Sequence, residues 1–164
     1  MISMTAAYWI EKLNLLPHPE GGYYRETYRS GSTIPAGRFD KNRNVCTAIY
    51  FLLEEGNKSH FHRIKSDELW FFHEGATLEI LVLDEKKLSS ILLGKNPEAG
   101  ESLQVMIPAH TWFAARIKER KNFALVSCTV APGFEFSDFE LGKKEMMKKQ
   151  FPSHDQVIDE MCLD

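Results

Sequence analysis

Residues 60–75 read HFHRIKSDELWFFHEG, two strand-like segments joined by a polar turn. Because alternate residues of a β-strand point to the same face, His60 and His62 would share one face of their strand. Glu68 and Trp70 would share a face of the next strand, and a tight turn would bring Glu68 beside the two imidazoles. Imidazole and carboxylate groups together bind divalent transition metals or transfer protons near neutral pH. The stretch therefore predicts a functional cluster on a β-sheet, either a metal site or an acid–base site.

The rest of the pattern also predicts a mainly β chain. Short apolar or alternating segments are separated by turn residues, and strands are predicted near 46–53, 59–62, 68–73, 78–83, 88–93, 103–107, 112–117 and 123–130. Many short strands at this spacing are typical of a β-sandwich or barrel. An earlier strand would place one strongly polar set of side chains on a single face: Tyr23, Arg25, Thr27 and Arg29. Its other face would carry Tyr24, Glu26 and Tyr28.

Helices are predicted at both ends of the chain. Apolar residues at helical spacing predict a helix over 5–14, and similar patterns predict C-terminal helices within about 138–162. Residues 30–44 read as a polar loop. With a β-barrel core over about 22–131, residues 1–164 are predicted to form a single domain.

Composition excludes several classes of function. The net charge of −3 gives no basic footprint for nucleic acid. The three cysteines have no CxxC spacing, which argues against a disulfide scaffold or a structural zinc site. The first residues do not read as a signal peptide, and no apolar run reaches the ~18 residues of a membrane span. We therefore expect a cytoplasmic protein that binds neither nucleic acid nor membrane.

The histidine cluster can be interpreted as a metal site or as a feature without function. His60, His62 and Glu68 supply three donors, and a metal needs three or more that converge at about 2.0–2.2 Å. The alternative is an exposed strand end with two solvated histidines. Flanking aromatic residues such as Trp70 favour a pocket, because ligand sites combine apolar walls with a few polar groups.

Five residues resemble the first motif of the cupin superfamily: Gly56, His60, His62, Glu68 and Gly75. The gaps before His60 and before Glu68 differ from the usual motif. In the second motif, Phe113 stands where cupins usually carry the fourth metal ligand, a histidine. The resemblance implies a cupin double-stranded β-helix, or jelly-roll barrel, that lacks one ligand of the usual metal site.

Three longer segments give a closer resemblance: LLPHPEGGYYRETY at 15–28, FHRIKSDELW at 61–70 and APGFEFSDFEL at 131–141. They resemble the cupin family long catalogued as a domain of unknown function and often labelled predicted cupin-type sugar epimerases. This resemblance implies a homodimer. It also implies chemistry similar to that of metal-free keto-sugar-nucleotide epimerases, in which a histidine assisted by a carboxylate removes a proton next to a carbonyl. A tyrosine then protonates the opposite face.

Residues of this chain can be assigned to those roles. His62 is the predicted base, and Asp67 or Glu68 would hold its tautomer. Tyr23 is the predicted acid, with Tyr50 as a less favoured choice. Arg25 would bind a phosphate or stabilise the enolate. Tyr23 packed as an ordinary strand aromatic, and Arg25 solvated or paired with a neighbouring glutamate, are the structural alternatives.

Further side chains are predicted to contact the substrate: Glu20, Thr27, Trp70, Trp112, Phe134 and Asp138. Ordinary core packing is the alternative for Trp112, and a turn before a helix is the alternative for residues 134–138. The predicted ligand is a small molecule such as a nucleotide sugar, and no cofactor is required. Two other functions stay open: a metal-dependent enzyme that uses His60, His62 and Glu68 to hold a divalent transition metal, and a non-catalytic ligand-binding module.

Overall fold

The computed structural model describes residues 4–84 and 87–163. Three short helices occur in these ranges: α1 Ala6–Lys12, α2 Lys144–Gln150 and α3 Asp155–Met161. The strands of the same ranges are β1 Leu16–Pro17, β2 Tyr23–Arg29, β3 Thr33–Ile34, β4 Arg43–Asn44, β5 Thr47–Glu54, β6 Lys58–Arg63, β7 Asp67–Gly75, β8 Leu78–Asp84, β9 Lys87–Leu93, β10 Glu101–Ser102, β11 Gln104–Ile107, β12 Trp112–Ile117, β13 Phe123–Ala131 and β14 Glu140–Leu141. No helix of the described part is long and apolar enough to cross a membrane.

Two six-stranded sheets face each other. The first has the order β1-β2-β5-β13-β7-β11, and the second has the order β10-β9-β8-β12-β6-β14. Most neighbouring strands are antiparallel, although β10 runs parallel to β9. This mainly β arrangement of two packed sheets confirms the predicted jelly roll.

The core lies between the sheets because alternate residues of each strand point inward. Phe51 and Trp70 from the first sheet meet Ile80 and Phe113 from the second, and all four side chains are almost fully buried. Burying one large apolar side chain contributes about 1.5–3 kcal/mol, so this layer supplies much of the favourable free energy of folding.

The helices cover parts of the outer faces of the sheets. Helix α1 packs on the first sheet around Leu52 and Leu125, and the Tyr8 amide donates a 3.2 Å hydrogen bond to the Thr5 hydroxyl at its N-terminus. Helices α2 and α3 pack on the second sheet, against Trp112 among others. The helices therefore cover the side of these strands that faces away from the cavity.

Two segments differ from the sequence predictions. Residues 140–141 form strand β14 beside β6, and the C-terminal helices begin only at Lys144, because pairing with β6 satisfies this backbone instead. The predicted polar loop 30–44 contains the hairpin of β3 and β4, and it carries Arg43, whose side chain is fully buried.

Arg43 anchors the segment that follows β13. We call residues 134–139 the strap, because they cross the open end between the sheets. The Arg43 guanidinium donates two hydrogen bonds to Asp138, at 2.7 Å from Nε and 2.8 Å from Nη2. Asp40 also pairs with Arg43, and the Phe39 ring lies 5.0 Å from the guanidinium carbon. This bidentate buried pair ties the strap to the β3–β4 hairpin.

Replacing Asp138 with asparagine is expected to lower the free energy of unfolding by about 3 kcal/mol, because it leaves the buried Arg43 without its main counter-charge. Urea denaturation followed by circular dichroism would measure the change. Glu140→Gln is the matched control, since Glu140 pairs with Arg63 at 2.7 Å on the surface. That variant should lose at most about 1 kcal/mol. Equal losses in the two variants would contradict an anchoring role for the buried pair.

Candidate active site in the barrel cavity

A cavity of about 150 Å³ opens between the two sheets beneath the strap. Cavities of this size hold a single benzene-sized ring. Its aromatic walls are Tyr24, Phe51, Trp70, Phe134, Phe136 and Phe139. Polar side chains from both sheets and from the 18–22 turn project between these rings, as is typical of a small-molecule site.

The orientation of His62 is set by the backbone. Its Nδ1 lies 2.8 Å from the carbonyl oxygen of His60. A carbonyl only accepts hydrogen bonds, so Nδ1 carries the proton and Nε2 is the free basic atom of the neutral ring. Nε2 lies 3.2 Å from Oε2 of Glu20, and both side chains are buried. Glu20 is therefore the carboxyl group in direct contact with His62, whereas the sequence favoured Asp67 or Glu68; the charge of Glu68 also acts on His62.

Several contacts position Glu20 against His62. Ser59 donates a 2.8 Å hydrogen bond to Oε1 of Glu20, and the ring nitrogen Nδ1 of His60 lies 2.6 Å from the Glu20 carbonyl oxygen. Gly21 adopts a φ of +109°, and a Cβ there would lie 1.9 Å from a carbonyl oxygen of β6. Only glycine permits this close approach, so the turn is seated on β6 at a fixed position.

Burial moves the pKa values of Glu20 and His62 in opposite directions. Desolvation raises the pKa of Glu20, although His18 and the Ser59 hydrogen bond act against the rise. Desolvation lowers the pKa of His62, and the charge of Glu68 opposes the decrease. Both shifts favour the neutral pair, in which the Glu20 carboxyl donates a hydrogen bond to Nε2 of His62. One proton is then shared between Oε2 of Glu20 and Nε2 of His62.

Glu68 is a third buried titratable group in the cavity. Desolvation raises its pKa from 4.5 to about 7, with Glu20 adding to the rise and His62 opposing it. Trp70 and Cys128 also lower the pKa of Glu68. The indole Nε1 of Trp70 is nevertheless buried and lacks a partner in hydrogen-bond geometry within the described residues. A carboxyl that titrates near neutral pH can donate or accept a proton during a reaction.

Arg29 closes one side of the cavity mouth. Its guanidinium donates two hydrogen bonds to Glu26, at 3.0 and 2.8 Å, and one to Glu135 at 2.9 Å. Two more go to the Asn44 side chain at 2.9 Å and to the Phe134 carbonyl oxygen at 3.1 Å. Arg29 therefore links β2 to the strap and has no donor left for another group.

Strand β2 turns the opposite face to the cavity from the one predicted. Tyr24, Glu26 and Arg29 line the cavity, and an irregularity in pairing between Glu26 and Tyr28 brings Arg29 onto the inner face. Tyr23 lies on the outer face beneath α1, where its hydroxyl donates a 3.1 Å hydrogen bond to Glu54. Arg25 and Thr27 also lie outside the cavity lining, and Thr27 bonds the Ala48 carbonyl oxygen at 3.2 Å.

The other predicted site residues divide into two groups. The cavity brings together His62, Glu68, Trp70, Glu20 and Phe134. Three others lie outside its lining: Asp67, Trp112 and Asp138. Asp67 is exposed and accepts a 2.8 Å hydrogen bond from the Ala109 amide, Trp112 packs against the C-terminal helices, and Asp138 is held by Arg43. These three stabilise the frame of the site instead of lining it.

The three proposed metal ligands do not form a metal-binding group. Across residues 4–84 and 87–163, no three His, Cys, Asp or Glu side chains are placed to hold a metal ion. His60 does not line the cavity, because its ring is turned to the Glu20 carbonyl oxygen. Phe113 packs on His62 with 4.2 Å between the ring centroids. The residues present therefore do not fit the usual cupin metal.

Sequence reasoning missed several cavity residues. The sequence assigns Tyr24 and Glu26 to the face of β2 opposite the predicted site, and it gives Arg29 no role in the site although it assigns Arg29 to the predicted face. Glu135 and Phe136 lie in the 131–141 segment that carries the family resemblance, which is the signal that could find them. Phe139 of the same segment is not missed, because the sequence already makes it a candidate for closing the mouth of the pocket. His18 also lines the cavity, stacked at 6.2 Å on Phe136 and within 4.5 Å of Tyr24. Burial is the main cause that lowers the pKa of His18.

Two facing sheets that enclose a polar cavity at one end define a cupin-type jelly roll. The chain belongs to the family Cupin_5 of the cupin superfamily (DUF985), whose sequence model matches residues 7–142. It is 30% identical over 149 residues to the uncharacterised protein YML079W of Saccharomyces cerevisiae, a match that covers 83% of this chain and 74% of the yeast protein.

Solved structures show the same architecture. A hypothetical protein from Leishmania major has a TM-score of 0.92 and 34% identity, covering 98% of this chain and 99% of its own. Protein SO0799 from Shewanella oneidensis has a TM-score of 0.90 and 37% identity, covering 98% of both chains. Oxalate decarboxylase from Bacillus subtilis shares the fold alone, with a TM-score of 0.54 and 16% identity over 88% of this chain and 36% of its own.

Replacing Glu68 with glutamine is expected to remove a pH-dependent loss of stability. Because folding raises the pKa of Glu68 from 4.5 to about 7, the stability linked to its proton is fully present below pH 4.5 and is lost as the pH rises through about 7. Relative to the variant, the wild-type protein should lose about 3 kcal/mol of unfolding free energy across this range. Urea denaturation at a series of pH values measures the difference.

Glu74→Gln serves as the control for this measurement, because Glu74 lies exposed on the same strand. Its stability should follow the wild-type pH profile. Parallel profiles for the wild-type protein and Glu68→Gln would show that Glu68 does not titrate in this range.

Proposed function

We propose that this protein is an isomerase or epimerase that moves a proton at the carbon next to a carbonyl group of a small, carbohydrate-like substrate. The observation that carries the proposal is the Glu20–His62 pair, with 3.2 Å between Oε2 and Nε2, inside a ring-sized cavity. A buried carboxyl–imidazole pair that shares one proton is suited to proton transfer.

The surrounding residues supply the other groups that such a reaction needs. Removing a proton next to a carbonyl leaves an enolate, whose oxygen must be stabilised by hydrogen-bond donors. A protonated Glu68 and the indole N–H of Trp70 are donors on one side of the cavity. Tyr24 is the tyrosine of the described chain that lines the cavity, so it replaces Tyr23 as the proposed acid for the opposite face.

The cavity limits the substrate to one buried ring. In a keto-sugar nucleotide, the sugar ring is the part that fits about 150 Å³. Arg25, the predicted phosphate ligand, lies outside the cavity lining, and Arg29 is occupied by Glu26 and Glu135. The enclosed aromatic cavity also supports the second candidate function, a cupin that binds such a ring without turning it over.

The proposed chemistry predicts that the protein exchanges the carbon-bound α-proton of its substrate with deuterated water. Loss of that proton's signal in ¹H NMR spectra of free keto-sugars and keto-sugar nucleotides measures the exchange. Glu20→Gln and His62→Gln should each slow the exchange by about 10²–10⁴-fold, because each replaces one of the two groups that transfer the proton. Tyr24→Phe should slow epimerisation more than exchange, whereas Tyr23→Phe is the control and should match the wild-type protein. Exchange that persists in Glu20→Gln and His62→Gln, or its absence with every keto-sugar tested, would contradict the proposal.

We further propose that the protein is a homodimer, as the family resemblance implies. The edge strand β11 and the residue before it expose Met106 and Leu103, with 50% and 64% of their surface accessible. An exposed apolar sheet edge is readily covered by a second copy. Light scattering at micromolar concentration should give twice the 18.9 kDa of one chain, and Met106→Glu should reduce this to one chain. A monomer in the wild-type protein would overturn the proposal.

A further inference from the structure

The charge balance of the cavity is unusual for a site that binds phosphorylated sugars. Four glutamates line the cavity and its mouth: Glu20, Glu26, Glu68 and Glu135. Arg29 is the one arginine or lysine of the described chain in this lining. Its five N–H donors are all used, by Glu26, Glu135, Asn44 and the Phe134 carbonyl. Among the described residues, no lysine or arginine of the lining therefore has a donor left for an anionic ligand.

The two deepest carboxyl groups lack a permanent cationic partner. Glu20 is 6% exposed and Glu68 is 7% exposed, and within the described residues neither forms an ion pair with a lysine or an arginine. Carboxyl groups buried to this degree are normally paired. Burial favours the protonated form of both carboxyl groups. A negatively charged ligand beside them would oppose their ionisation further, whereas an ammonium group would stabilise the ionised carboxylates by supplying a counter-charge.

Two further features point to the same kind of ligand. The rings of Phe134, Phe136 and Phe139 line the cavity, and aromatic faces attract cations. Trp70 is 1% exposed and lines the cavity, and its buried Nε1–H interacts with the Glu68 carboxyl without reaching full hydrogen-bond geometry in the described chain. A buried donor of this kind is satisfied when a ligand oxygen accepts its hydrogen bond.

We propose that the ligand of this cavity is a ring-sized molecule that carries an ammonium group and a hydroxyl or carbonyl oxygen, as an amino sugar does. The ammonium group lies between the carboxyl groups of Glu68 and Glu20, and the oxygen accepts the Trp70 hydrogen bond. This assignment rests on the proposed function in that it takes the same cavity as the substrate site. It narrows the substrate class from carbohydrates in general to amine-bearing ones.

Three probes with one ring skeleton test the assignment: 4-aminocyclohexanol, cyclohexane-1,4-diol and 4-hydroxycyclohexanecarboxylate. They differ only in carrying a cationic, a neutral or an anionic group opposite the hydroxyl. Isothermal titration calorimetry at neutral pH and physiological salt should show that the amine binds at least about tenfold more tightly than the diol. The carboxylate should bind most weakly of the three.

Glu68→Gln should bring the affinity for the amine down to that for the diol while the diol affinity is retained. The control Glu74→Gln should keep the full preference, because Glu74 lies on the same strand outside the cavity lining. Trp70→Phe should weaken all three probes alike. Tighter binding of the carboxylate, equal binding of all three, or no binding of the amine at millimolar concentration would overturn the inference. These outcomes do not depend on turnover, so a failure of the proton-exchange experiment is distinguishable from a failure here.

Discussion

The buried contact between Glu20 and His62 is the constraint around which this end of the barrel is built. Holding it requires a glycine at position 21, a hydroxyl at Ser59 and a ring at His60 turned toward the backbone of Glu20. The two histidines of the HxH pattern therefore have different tasks. His60 fixes the turn that carries the carboxyl group, and His62 receives that group at its free nitrogen.

This division explains how a cupin motif persists in a chain without the full set of metal ligands. Phe113 occupies the place of a ligand and packs its ring against His62. The apolar ring desolvates the imidazole, which favours its neutral form. The same replacement that removes a metal ligand thus adds to the burial that lowers the pKa of His62. The strands that carry His62 and Phe113 would hold two metal ligands in a cupin with the complete motif, whereas in this chain they hold a carboxyl–imidazole pair.

Local alternation was enough to place part of the site. On β7, Glu68 and Trp70 were assigned to one inward face from their spacing, and both line the cavity. The HxH pattern identifies His62, the series of short strands predicts a β-sandwich or barrel, and the resemblance to the cupin superfamily narrows this prediction to a jelly roll. These predictions depend on neighbours two residues apart, where strand geometry leaves little freedom.

The missed features depend on contacts that are distant in sequence. The inner face of β2 is set by α1, which covers Tyr23, and by the irregularity after Glu26, and neither leaves a mark on the alternation of the strand itself. The partner of His62 comes from a turn some forty residues earlier. The burial of Arg43 could not be predicted from the polar loop around it. Its burial is favourable only because it pairs with Asp138, which lies far along the chain.

The ion pairs that hold the two ends of the strap differ in their exposure to solvent, so dissolved salt acts on the two ends differently. Arg29 holds one end through pairs that are about one-third exposed, whereas Arg43 holds the other end with no exposed side-chain surface. Dissolved ions screen exposed charges far more than buried ones. Ionic strength therefore weakens the attachment of the strap at Arg29 more than its attachment at Arg43.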